Sequence, residues 1–237
     1  MTTGLLLSVT AFGLDAEEII TRMEENEVHE TAYTEGRMII EDRFGAKEST
    51  FRSWARGEDE TLIEFTSKEE AGQKILRTKD EIYLYFPDAE EVIRLQGSAL
   101  RDSVLGSDFS YEDMTGEKGL LSAYDVSLMG TEEVDGHECY KILMEAKSRR
   151  VPYPKQIVWV DSELFIGRKA EKYSLSDKLL KEMLVTDVEI VDGLPVPMRL
   201  VMQDKMKKNS STEFIVEKIE IDPRIDPAVF SLEELTW

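Results

Sequence analysis

Apolar and polar residues alternate with period two along most of this chain, in short runs separated by turn-like pairs. Such runs lie near residues 32–42, 47–57, 60–66, 72–79, 81–86 and 91–95, and again near 124–131, 139–147, 155–160, 166–174, 181–190, 196–204 and 212–221. Arg56-Gly57, Lys79-Asp80 and Pro87-Asp88 punctuate the first set, and Val134-Asp135-Gly136-His137 reads as a hairpin turn in the second. A spacing of about ten residues predicts an antiparallel meander, sandwich or barrel in one continuous, mainly β domain. Two segments depart from the period. Asp15-Ala16-Glu17-Glu18 is a capping box, and Ile19, Ile20 and Met23 share one stripe, so a short amphipathic helix is expected over Ala16–Asn26. Between the two sets of runs, Gly97–Met114 reads GSALRDSVLGSDFSYEDM, without alternation yet rich in apolar side chains. An apolar insertion hinged by Gly97, Gly106 and Gly116 predicts a lid over a sheet face, bounded at 97–116.

Some runs are apolar on both faces. Ile82, Leu84 and Phe86 oppose Tyr83 and Tyr85, while Ile157 and Trp159 oppose Val158 and Val160. A sheet covered on both sides follows, with the N-terminal helix as one cover and the insertion as the other. The expected groove residues are Ile82, Leu84, Phe86, Ile157 and Trp159, and the expected lid residues are Leu100, Val104, Leu105, Phe109 and Tyr111. In the tail, Pro223 and Pro227 end the last strand, and Phe230, Leu232 and Leu235 are expected to pin the C-terminus to the body.

Acidic residues outnumber basic ones by 49 to 29, for a formal charge of −20. That balance excludes nucleic acid and argues against an anionic membrane as the main partner. Two basic clusters run against it: Lys147, Arg149 and Arg150 beside Pro152 and Pro154, and Lys205, Lys207 and Lys208 before Asn209. They are read either as solvated loop charge or as contacts to a partner or headgroup. The start, Leu5–Leu14 followed by Ala16, has the apolar core and small residue of a secretory signal, but no Lys or Arg precedes Arg22. Residues 1–16 are expected to be a signal remnant and 17–237 the exported domain, a core strand being the alternative. At about ten apolar residues the stretch is too short to span a membrane.

Catalytic patterns are missing. His29 and His137 are the two histidines, and no zinc, nucleotide-binding or nucleophile-elbow motif occurs. Asp108, Glu112, Asp113 and Glu117 miss the spacing of a calcium loop, so Asp113 is read as a cap on a short helical turn. Cys139 is the sole cysteine and reads as a buried apolar residue, or, with His137 two positions away, as a thiol–base pair. No enzyme activity, cofactor or metal is expected.

The word GSDFSYEDM at 106–114 resembles that of LolA-like outer-membrane lipoprotein-sorting proteins. The order that follows is similar too: YKILMEA after Cys139, YPKQIVWVDSELFIGRKAEKYS, and DPAVFSLEEL at the close, so the likeness runs from Ala16 to Leu235. It implies a strongly curved, incomplete antiparallel β-barrel whose concave face is covered by helices. It also implies non-catalytic binding of lipid or lipoprotein acyl chains in the periplasm, by a monomer moving them toward the outer membrane between envelope donor and acceptor proteins. The alternative is an accessory subunit of an envelope export machine that uses the same fold as an interaction surface.

Overall fold

The computed structural model describes residues 14–27, 29–79, 81–115, 119–149 and 151–236; the signal-like stretch up to residue 13 and Arg150 lie outside these. Strands β1 (Thr31–Asp42), β2 (Gly45–Arg56), β3 (Glu60–Phe65), β4 (Lys74–Thr78), β5 (Glu81–Phe86) and β6 (Glu91–Leu95) form a first meander. A second comprises β7 (Tyr124–Val134), β8 (His137–Ala146), β9 (Lys155–Asp161), β10 (Gly167–Tyr173), β11 (Leu179–Val191), β12 (Leu194–Asp204) and β13 (Ser211–Ile221). Together they make one thirteen-stranded antiparallel sheet in the order β6-β5-β4-β3-β2-β1-β13-β12-β11-β10-β9-β8-β7. First and last strands pair, so the sheet follows the chain all the way round and stops open between β6 and β7. The predicted Asp135-Gly136 turn has positive φ at both central residues, as a type I′ hairpin requires.

The segment between the two open edges crosses the sheet face. It contains one-turn 3-10 helices at Gly97–Arg101 and Val104–Gly106 and two short helices. Helix α1 (Ala16–Glu27) precedes the sheet; α2 (Tyr111–Met114) and α3 (Leu120–Ala123) lie within the crossing segment, and α4 (Leu232–Leu235) closes the chain. Both α1 and the crossing segment pack on the same face, which corrects the expectation that they cover opposite ones. Ile19, Ile20 and Met23 of α1 sit on Ile142, Met144, Val158, Val160 and Ala170 of β8–β10. The crossing segment packs on Met38, Phe51, Ile63, Phe65 and Ile75 of β1–β4. The register joins Val158 to Ala170, Ala170 to Met183, Met183 to Met202 and Met202 to Thr212, so these positions lie on one continuous inner face.

The outer face has its own covers. C-terminal Phe230 and Leu235 bury Leu62 and Leu76 beside Trp54, Tyr83 and Tyr85, whereas Leu232 is exposed and does not pin the tail. Trp159 lies beneath the Lys141 and Lys169 ammonium groups, 4.9 and 4.6 Å from its ring centre. At the N-terminus, Asp15 Oδ1 accepts from Glu18 N at 2.8 Å, and Ala16, the first residue of α1, is buried.

The β1–β13 seam that joins the meanders has a bulge at Glu35/Gly36. A Cβ on Gly36 would meet Ile215 O at 2.4 Å and the Phe51 ring at 2.8 Å. Gly36→Ala is therefore expected to lower stability by about 1–3 kcal/mol through overpacking, read as a fall in urea midpoint. An unchanged midpoint would show that the seam has room to relax.

Candidate functional site

The inner face and its lid form the site. Val104, Leu105, Leu100, Tyr111 and Met114 of the crossing segment pack with Ile82, Leu84 and Phe86 of β5 over the buried layer of β1–β4. Phe109 sits 6.0 Å from Phe214, whose ring lies tilted against Phe51 at 4.8 Å. Eight of the residues named from sequence are thus brought together. Ile157 and Trp159 are not: they point outward into a cluster with Val134, Cys139 and Leu184. Their neighbours Val158 and Val160 take the inner positions, because the alternation leaves both faces apolar and α1 selects the even residues. Beneath the lid, between Phe65, Ile75, Leu84, Val104 and Leu105, the remaining void is about 10 Å³, room for about one water.

Two buried carboxylates five positions apart hold the lid down. Asp113 receives Lys172 Nζ at 3.0 Å, Lys181 Nζ at 2.5 Å and the Tyr153 hydroxyl at 3.1 Å. It also closes a capping box, accepting from Ser110 N at 3.0 Å while Ser110 Oγ accepts from Asp113 N at 3.2 Å. Burial pushes its pKa upward, but Lys172 and Lys181 outweigh that and hold it well below the ordinary 3.8. The Tyr153 hydroxyl is driven upward, first by burial and then by the Asp113 charge, and so serves as a donor. Asp108 accepts from Ser210 Oγ at 2.8 Å and Thr212 Oγ1 at 3.0 Å, and its own amide donates to Thr212 Oγ1 at 2.9 Å. Lys207 donates to Gly106 O and Ser107 O beside it. Arg77 Nη1 donates to Thr115 O at 2.9 Å, tying the far end of α2 to β4. Just before the first latch, Leu105 and Gly106 both have positive φ, +53° and +82°. For leucine this is a strained conformation, at the point where the lid turns back on itself.

The latch partners escaped the sequence reading, although a signal existed. In β10 Ala170 and Lys172 point inward, and in β11 Lys181 precedes inward Met183 by two. A lysine at a core position of an alternating run demands a buried anion.

The basic clusters divide. Lys207 is a lid contact, and Lys205 is tied to Glu182 at 3.0 Å and Gln203 at 2.6 Å. Lys147 donates to Leu121 O at 2.6 Å. Lys208 and Arg149 are exposed. Between the 147–154 and 174–180 segments lies an open cleft of about 730 Å³, with Arg101, Lys147 and Arg149 around Val151, Pro152, Pro154, Leu175 and Leu180. Cys139 lies away from all of this, fully buried on the outer face. Burial pushes its thiol up to about 11, with the Asp161 charge adding to the rise, so it is held as a thiol. Among the described residues no cluster of three His, Cys, Asp or Glu side chains could hold a metal, and no helix is long and apolar enough to cross a membrane.

A family model described as "Uncharacterized protein" matches residues 57–237. The fold is shared with the crystal structure of a DUF1329 family protein from Desulfovibrio piger, at TM-score 0.85, 24% identity, and coverage of 92% of this chain and 96% of that one. A putative outer membrane lipoprotein-sorting protein domain from Vibrio parahaemolyticus gives 0.85 at 19% identity, covering 94% of this chain and 98% of its own. A LolA superfamily protein from Nitrosomonas europaea gives 0.79 at 20%, covering 94% and 100%. No curated protein matches the chain by sequence. The incomplete barrel expected from the LolA-like word is thus the architecture present.

Asp113→Asn should cost about 3–5 kcal/mol near neutral pH, because it removes the anion that two buried lysines share. The folded pKa lies below the unfolded one, so this stability is complete above the ordinary value of 3.8 and is lost as pH falls from there toward the folded value. Urea unfolding across an acid series should show the wild-type advantage shrinking below about pH 4. A constant difference between the two proteins would show that Asp113 does not carry the charge assigned to it.

Proposed function

The chain belongs to the DUF1329-like family, and on that premise we propose that it is a periplasmic carrier, which binds lipoprotein or lipid acyl chains under a hinged lid and moves them toward the outer membrane. The observation that supports this most is the way the lid is held. Its underside and the sheet beneath it are apolar, while its attachment is concentrated in two carboxylates, Asp108 and Asp113, and their partners. In the closed form the lid's own side chains fill the space an acyl chain would take, so loading requires the lid to lift. Burying a chain of about 16 carbons is worth about 12 kcal/mol before costs. That is enough to offset a latch of about 3–5 kcal/mol. Such chemistry needs an apolar surface and a movable cover, and no catalytic group.

The filled inner face also favours one alternative, a non-catalytic accessory subunit of an envelope export machine that never opens. The two readings separate on one titration. Under the carrier reading a fluorescent acyl probe binds the wild type. Ser210→Ala and Asp113→Asn, which loosen the latches, bind it more tightly, by about fivefold and about tenfold or more, since apparent affinity scales with the fraction of open protein. Absence of probe binding in all three folded proteins would overturn the carrier reading and leave the accessory one.

A further inference from the structure

The sheet order sets six hairpin tips at one end of the molecule; 66–73 and 87–90, toward the open β6 edge, carry the carboxylates Glu69, Glu70, Asp88 and Glu90, and the other four stand side by side. They are 43–44 between β1 and β2, 205–210 between β12 and β13, 174–178 between β10 and β11, and 147–154 between β8 and β9. Each tip carries an exposed cation: Arg43, Lys208, Lys178 and Arg149. None of the four has an ion pair among the described residues, although the chain has twenty more acidic groups than basic ones to offer as partners. Three of the tips also project a large apolar side chain: Phe44 and Leu175 are each 81% exposed and Met206 53%. The opposite end is mainly acidic, with Glu58-Asp59, Asp135, Glu163 and Asp192 against the cations Lys79 and Arg224. The net charge of −20 therefore conceals a local basic patch at these four adjacent tips, where the general repulsion from anionic surfaces is reversed.

We infer that this end docks on an anionic lipid bilayer, with Phe44, Met206 and Leu175 entering the headgroup boundary and the four cations meeting lipid phosphates. A bilayer fits better than a protein, because the apolar residues are single and sit on tips about two strand spacings, or about 10 Å, apart. The apolar core of a protein interface is a contiguous patch. Isolated apolar anchors interleaved with cations are the composition of an interfacial membrane contact. The open cleft lined by Arg101, Arg149 and Leu175 lies between the third and fourth tips, so it faces the same surface. The inference stands apart from the carrier reading, since it concerns where the protein docks and not what it holds.

Vesicle co-sedimentation of the full chain tests it, using phosphatidylcholine vesicles with and without about 30 mol% phosphatidylglycerol at low salt. Wild type should partition onto the anionic vesicles, not onto pure phosphatidylcholine, and should be released at about 0.5 M salt. Each basic contact is worth about fivefold, so the double variant Arg149→Glu with Lys208→Glu should bind at least about tenfold more weakly. Phe44→Asp with Leu175→Asp should lose binding comparably. Lys79→Glu with Arg224→Glu, at the opposite end, should stay within about twofold of wild type. Equal losses in the rim and control pairs, binding that ignores phosphatidylglycerol, or no binding by the wild type would each overturn the inference. Acyl-probe affinity in the rim variants reports separately on the carrier reading and should be unchanged.

Discussion

Because the sheet stops open between β6 and β7, the face it encloses is closed only as long as the crossing segment stays down, and Asp113 does most to hold it there. Its carboxylate bonds side chains from β10 and β11, the Tyr153 hydroxyl and its own helix cap. Tyr153 is itself fixed, because its carbonyl accepts from the Tyr124 hydroxyl, which in turn accepts from Gln156 Nε2 at 2.7 Å. The start of β7, the 147–154 tip, β9 and the lid thus share one network. A charge this deeply desolvated is tolerable only with both lysines present. The same dependence makes the contact all-or-none, which is the property a cover with two positions needs.

The apolar contacts are spread differently. Phe51, Phe214 and Phe109 meet in tilted ring contacts across β2, β13 and the lid, but only Phe109 belongs to the lid; the rest belong to the sheet. Lifting the lid would expose an apolar layer that already exists, without unfolding strands. Hydrophobic packing is non-directional, so an acyl chain can replace the lid's side chains on that layer. It cannot replace the hydrogen bonds to Asp108 and Asp113. The energetic barrier to opening is therefore polar, and the reward for filling the opened face is apolar. The edges need their own protection: β6 is only five residues long, and β7 carries Asp125, Glu132 and Glu133 with a bulge near Gly130.

Much of this was legible in the residues. Each strand announced itself by alternation and several turns by glycine, aspartate or proline, because local backbone chemistry decides both. The lid was visible as apolar residues without a period. What alternation cannot say is which face is inner when both are apolar. Gln156–Val160 is the case in point: Ile157 and Trp159 look like better core residues than Val158 and Val160, yet α1 packs on the valines. The choice comes from a helix about 130 residues away in sequence, a purely tertiary decision. The latches were hidden for a related reason, since Asp113, Lys172 and Lys181 lie far apart along the chain and only the folded sheet brings them within hydrogen-bond reach. The basic clusters do not act as units in the fold: Lys205 and Lys207 bond within the protein, while the neighbouring Lys208 stays exposed.

The central claim is that ligand and lid compete for one face, and hydrogen exchange of the lid amides with and without a long-chain acyl ligand tests it most directly. The amides of Val104, Asp108 and Asp113 are bonded to Phe109 O, Thr212 Oγ1 and Ser110 Oγ in the closed form. Saturating ligand should reduce protection across 103–115 while the strands beneath keep or gain it. Ligand bound with lid protection unchanged would contradict the account, since it would place the acyl chain somewhere other than beneath the lid.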